Sequence, residues 1–145
     1  RHGASLFGVP AAMIFGIGND ICDVRRIALA QQRRGTDFAQ KVLGPSEWQV
    51  YLQRQQRHAG RATRYLATRF SAKEAVSKAL GLGIRLPMRW QDCEILNHPS
   101  GKPYVQLHGA LAEFAQSHGL SLHISITDES DYAASFCVAE QHQKD

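Results

Sequence analysis

Phe70-Ser-Ala-Lys-Glu-Ala-Val-Ser-Lys-Ala-Leu-Gly81 is the stretch whose reading decides this chain. It is a run of strong helix formers closed by glycine, a residue that commonly terminates a helix in the left-handed conformation. Glu74 and Lys78 stand four residues apart, so their side chains leave the same face one turn from each other. Working outward, the helical pattern extends from about Ala62 to Leu80, with Gly81 and Gly83 as stop signals. At about 100° per residue, Leu66, Phe70, Ala72, Val76, Ala79 and Leu80 form a broad apolar arc. Glu74 and Lys78 fall just past the edge of that arc, beyond Phe70. Arg69 and Lys73 fall inside it, where a charge is costly unless it is paired or reaches water. An anionic ligand or a neighbouring subunit is the partner expected for both.

A second carboxylate, Asp20, lies in Gly16-Ile-Gly-Asn-Asp-Ile21, where the short strand-like run Ile14 to Gly18 meets an expected turn. Two carboxylates from separate elements and a nearby ammonium suit magnesium-assisted phosphoryl transfer, in which the carboxylates hold the ion and the cation neutralises phosphate charge. Plainer readings stand beside this one. Asp20 also suits a turn or helix cap, and Glu74 with Lys78 also suits a surface ion pair worth a few tenths of a kcal/mol. Gly16-Ile-Gly18 is not a dinucleotide fingerprint, because the third glycine and the helix-opening context are missing. The chain has no Walker A pattern either.

The remaining elements read as α+β. Asp23 caps a helix running to about Ala30, with Val24, Ile27 and Leu29 expected inward. Thr36 opens a short helix to Leu43, and Pro45 and Ser46 open another reaching about Gln55. Gln53 to Arg61 reads as a polar loop. Beyond the long helix come strands at 94–97 and 104–107, joined by the turn chemistry of 99–103. A short helix follows at 110–118, then strands at 120–127 and 132–139 that suggest an antiparallel hairpin.

With 145 residues, 43% apolar and 21% charged, the chain is sized and composed as a single globular domain with a real core. Residues 13–145 are taken as that domain. Residues 1–12 are read as a foreign or disordered leader, with Met13 as the natural start. Cys22, Cys93 and Cys137 are odd in number and far apart, which points to reduced thiols and a cytoplasmic protein. No apolar run is long enough to span a bilayer. A net charge of +4 suits an acidic ligand or partner. A basic nucleic-acid module is the rival from another class. It ranks low, because Arg25, Arg26, Arg33 and Arg34 have no aromatic residues interleaved with them.

The segments together resemble the 4′-phosphopantetheinyl transferases, which read roughly G-I-G-x-D-I near the start and R-F-x-x-K-E-A-x-x-K-A-L-G in the middle. Gly16-Ile-Gly18, Asp20-Ile21, Arg69-Phe70 through Gly81, Ser100-Gly-Lys-Pro-Tyr104 and His123-Ile-Ser-Ile-Thr-Asp128 follow in the same order. The likeness spans about Met13 to Glu140. It implies an antiparallel sheet packed with the long helix, in a homotrimer with its site between subunits. It also implies Mg²⁺ on Asp20 and Glu74, with Asp20, Glu74 and Lys78 catalytic. Coenzyme A as co-substrate would be bound by Arg69, Lys73, Gly81, Gly83 and His123. The implied protein partner is an apo-acyl carrier protein docked on Arg25, Arg26 and Arg33, with no nucleic acid and no membrane involved. The implied reaction passes the phosphopantetheine of coenzyme A to a carrier serine and releases 3′,5′-ADP, in support of fatty acid biosynthesis.

Overall fold

The computed structural model describes residues 11–143. Of the leader expected over residues 1–12, residues 1–10 lie outside that range, and Ala12 is already strand, paired with His142. Two sheets share one long helix. Strands β1 (Ala12–Asp23), β4 (Leu120–Asp128) and β5 (Tyr132–His142) form an antiparallel sheet in the order β1-β5-β4. Strands β2 (Cys93–Asn97) and β3 (Pro103–Leu107) form a separate hairpin. Helices α1 (Val24–Arg34), α2 (Thr36–Val42), α3 (Pro45–Arg57) and α4 (Ala59–Leu80) follow β1, and α5 (Gly109–Ser117) precedes β4. The α+β architecture and the final hairpin are those the sequence leads one to expect.

Helix α4 organises the interior. Its residues facing β1 are small: Ala72, Ala75 and Ala79 are buried, Gly16 and Gly18 lie against Ala79 and Ala75, and Cys137 and Ala139 of β5 share their cluster. A Cβ at Gly16 would stand 2.0 Å from the Ala79 carbonyl oxygen, and one at Gly18 would stand 2.1 Å from that of Ala75. These two glycines let a helix backbone lie directly on a strand backbone. Sequence reasoning takes them for the end of a short strand. In fact β1 continues through them to Asp23, which places Asp20 inside a strand opposite Ser135 rather than in a turn. The side chain of Asp23 accepts from Arg25 N at 2.9 Å, and it caps α1 as expected.

Two further expectations change. The polar run 53–61 is helical except at His58, because α3 reaches Arg57 and α4 begins at Ala59. Leu29 is half exposed on α1, whereas Val24 and Ile27 are buried. Gly81 ends α4 at φ 75°, the left-handed conformation that glycine adopts without strain.

The other face of the three-stranded sheet is open. Ile14, Ile17 and Ile21 on β1 and Phe136 on β5 are exposed there, and Ile17 is 58% accessible. The three cysteines are free and buried. Burial pushes the Cys22 thiol up to about 11 and those of Cys93 and Cys137 up to about 12. Among the described residues, no helix is long and apolar enough to cross a membrane.

Candidate active site

The crossing of α4 over β1 brings Asp20, Glu74 and Lys78 together. Lys78 Nζ donates to the Asn19 carbonyl at 2.9 Å and lies 3.5 Å from Asp20 Oδ1. Ser71 Oγ donates to the Asp20 carbonyl at 3.3 Å and ties the helix to the strand about two turns before Lys78. Asp20 and Lys78 sit at the margin of a groove of about 470 Å³, whose wall also includes Ile21, Ser125, Thr127 and Phe136.

Both carboxylates are held above their ordinary values. Burial raises the Asp20 carboxyl above its ordinary value, with Lys78 pulling the other way. Burial also raises Glu74, and the neighbouring Asp20 charge raises it further. Two half-buried carboxylates, one of which disfavours the other's ionisation, are relieved by a divalent ion between them. Among the described residues, no cluster of three or more metal-ligating side chains exists. The pair therefore suits an ion such as Mg²⁺, which accepts one or two carboxylates and takes its other ligands from water and phosphate.

The structure treats the other sequence candidates unequally. Lys73 is a correction. Its ammonium is fully buried 2.6 Å from Glu47 Oε1 and donates to the Trp90 carbonyl at 2.9 Å, so it is not presented to a ligand. The charge inside the apolar arc finds its partner on α3, not on an anion or a second subunit. Arg69 likewise finds internal partners in the Ile95 carbonyl at 3.0 Å, Thr68 Oγ1 at 3.1 Å and the Asn97 side chain. It does border a cleft of about 1290 Å³ that also takes in Arg54, Arg57, Arg61 and Arg64. Sequence reasoning assigned those four arginines to no site. Their spacing along 54–64 is the available signal; reading 53–61 as a loop conceals it for Arg54, Arg57 and Arg61, while Arg64 already falls in the long helix. Arg69 and Glu74 are five residues apart, about 140° around the helix, so the cleft and the carboxylates lie on different sides of α4.

His123 is on the open face of the sheet, 3.1 Å from Glu140 Oε1. It pairs with Val138, three rungs from the Asp20–Ser135–Ile126 row, so one chain does not bring it to Asp20. Gly81 and Gly83 both hold positive φ just after α4. On α1, Arg25 is engaged by Asp23 at 2.8 Å and lies against the Tyr132 ring. Arg26 and Arg33 are exposed, with the half-exposed Leu29 between them on one side of the helix.

The profile of the 4′-phosphopantetheinyl transferase superfamily matches residues 16–137. A holo-[acyl-carrier-protein] synthase of Leptothrix cholodnii is 58% identical over 128 residues, covering 88% of this chain and 97% of that protein. One from Methylibium petroleiphilum is 56% identical over 90% of this chain and 99% of its own. Among solved structures, the holo-[acyl-carrier-protein] synthase of Neisseria meningitidis superposes with a TM-score of 0.81 at 37% identity, covering 88% of this chain and 98% of its own. The Bacillus anthracis enzyme, solved in complex with CoA (3′,5′-ADP), gives 0.74 at 31% identity over 89% and 98% of the two chains. The chain belongs to the 4′-phosphopantetheinyl transferase superfamily and is an enzyme of its holo-[acyl-carrier-protein] synthase group.

Proposed function

We propose that this enzyme transfers 4′-phosphopantetheine from coenzyme A to a serine of apo-acyl carrier protein, with Mg²⁺ held by Asp20 and Glu74. The observation that carries the reading is the meeting of Asp20, Glu74 and Lys78 where α4 crosses β1. The ion, when bound, draws charge from the pyrophosphate oxygens. The chain's own residues do the rest. The serine oxygen bonds to the β-phosphorus while that phosphorus breaks its bond to the bridging oxygen, and 3′,5′-ADP leaves. Glu74, whose carboxyl is held above its ordinary value, takes the serine proton directly or through a water. Lys78, with its ammonium half exposed at the groove, meets the charge developing on the leaving phosphate. Positioning and charge stabilisation carry most of the catalysis in such transfers.

The functional unit of this proposal is a homotrimer. Support comes from the open apolar face of the sheet and from the separation of the arginine cleft and His123 from the carboxylates within one chain. A second subunit laid on that face would bring its own phosphate-binding side to the first subunit's acids. Arg26 and Arg33, flanking Leu29, suit the acidic surface of a carrier protein, with Arg25 a lesser contributor because Asp23 already holds it. The place of action is the cytoplasm, in the service of fatty acid biosynthesis.

Intact-mass spectrometry of apo-acyl carrier protein incubated with this chain, coenzyme A and Mg²⁺ tests the reading. A gain of one phosphopantetheine that EDTA abolishes supports it. A folded enzyme that modifies no carrier protein under any metal condition overturns it.

A further inference from the structure

A buried ionic network lies outside the active-site groove, on the helix that carries Glu74. Glu47 and Lys73 are both fully buried, with Oε1 and Nζ 2.6 Å apart. Glu47 Oε1 also accepts from Gly44 N at 2.9 Å, and Oε2 accepts from Ile95 N at 2.7 Å. Lys73 donates its second bond to the Trp90 carbonyl at 2.9 Å. One carboxylate and one ammonium thus tie together the start of α3, strand β2, the turn before it and the middle of α4. Glu94, itself buried, strengthens the same corner by accepting from Ser46 N at 2.7 Å and Glu47 N at 3.2 Å. His108 closes on Glu94 at 2.8 Å.

Among the described residues, Glu47–Lys73 is the fully buried ion pair that α4 makes, and it acts beside the Ser71 and Lys78 bonds to β1. Where α4 crosses β1 its contact is built from alanines against glycines, and beside it Val76 and Leu80 pack with Cys137, Leu122 and Ile124 of the sheet. Lys73 immediately precedes Glu74, about 100° away around the axis. A helix clamped at Lys73 from the α3 and β2 side must present Glu74 and Lys78 toward Asp20. Buried ion pairs are weak sources of net stability and are best attested as devices that specify one arrangement.

We propose that Glu47 and Lys73 are positioning residues for the transfer, holding α4 in the one rotation that gathers Glu74, Lys78 and Asp20. This rests on the reading of Asp20 and Glu74 as the metal pair. Removing one partner alone leaves an uncompensated buried charge and risks unfolding, so the informative variant is the neutral double Glu47→Gln/Lys73→Met. It keeps the volume of both side chains and an acceptor for the amides.

Manganese titration of the folded protein by paramagnetic resonance, alongside steady-state kinetics, makes the test. The double variant is expected to keep its circular dichroism spectrum and its KM for carrier protein. It should bind manganese about tenfold more weakly and lose turnover to at least the same degree, the usual scale for loss of a group that orients a metal ligand. Manganese affinity and kcat both within about twofold of the parent, in a folded double variant, would overturn the inference. Glu74→Gln in the same titration separates the two ideas. If Glu74→Gln loses the ion and the double variant does not, only the positioning role fails. If Glu74→Gln binds manganese as the parent does, the metal reading fails and this inference falls with it.

Discussion

Gly18→Ala puts the contact between α4 and β1 to the sharpest test. The new Cβ would lie 2.1 Å from the Ala75 carbonyl oxygen, 2.7 Å from Ala79 N and 2.8 Å from Lys78 Cβ. Ordinary contact begins at 3.4 Å, and 3.4 Å less 2.1 Å leaves about 1.3 Å that the helix must yield. Two of the three obstructing atoms are backbone, so no rotamer change relieves them. Overpacking of this kind costs about 1–3 kcal/mol, and backbone against backbone belongs at the upper end. For a domain of this length, a loss of about 3 kcal/mol lowers the melting temperature by roughly 10 °C. The consequence for chemistry is larger than that for stability. Asp20 is two residues from the new methyl group and Lys78 touches it, so α4 lifts away where the acids must converge. A misplacement of about 1 Å costs about 100-fold in rate. The assay is a thermal melt followed by carrier-protein modification at a temperature where the variant is fully folded. A melting temperature within about 2 °C of the parent, with turnover within about threefold, would refute the account of why these glycines are there.

Glu74→Gln should lower turnover by about 100-fold or more while leaving the circular dichroism spectrum unchanged. The same variant has a signature in stability. Because folding raises the Glu74 carboxyl, the native state holds this proton more tightly than the unfolded chain does. Stability therefore falls as pH rises from the ordinary glutamate value of 4.5 through the raised native value. Glu74→Gln removes that contribution, so its melting temperature should gain on the parent's between pH 4 and neutrality; a constant offset across that range would contradict the shift. Arg26→Glu should raise KM for carrier protein about tenfold with coenzyme A affinity unchanged, and equal losses of both would remove its docking role. Ile17→Lys places a charge on the open apolar face; sedimentation should show a smaller species with little activity, and an unchanged, active assembly would exclude that face from the subunit interface.

Local chemistry in this chain was legible wherever the partners were near in sequence. Glu74 and Lys78 share a face by helix geometry alone, Asp23 caps the helix that follows it, and alternation along 120–139 gives the hairpin. Asp20 was found, but its setting was misread. Glycine normally interrupts a strand, and only the presence of α4 explains why Gly16 and Gly18 must lack side chains. Lys73 shows the limit more plainly. The arc argument correctly demanded a partner for a charge on an apolar face, but that partner, Glu47, is 26 residues away on another helix. No periodicity links the two. The cleft arginines were lost for a related reason: a polar stretch between helices resembles a loop until its own helical hydrogen bonds are seen.

The three buried thiols have a practical consequence. They sit in two parts of the molecule: Cys22 at the end of β1 beside α1, and Cys93 at the start of β2 together with Cys137 within β5 in one shared core cluster. Held almost wholly protonated at neutral pH and shielded from solvent, they are poor targets for alkylating reagents in the native state. Each becomes reactive only when its own surroundings open. The rate of labelling at each position therefore measures a local opening free energy. Without any engineered probe, the thiols report whether the chain loosens first at the helical end, around Cys22, or in the core between the small hairpin and the central strand, around Cys93 and Cys137.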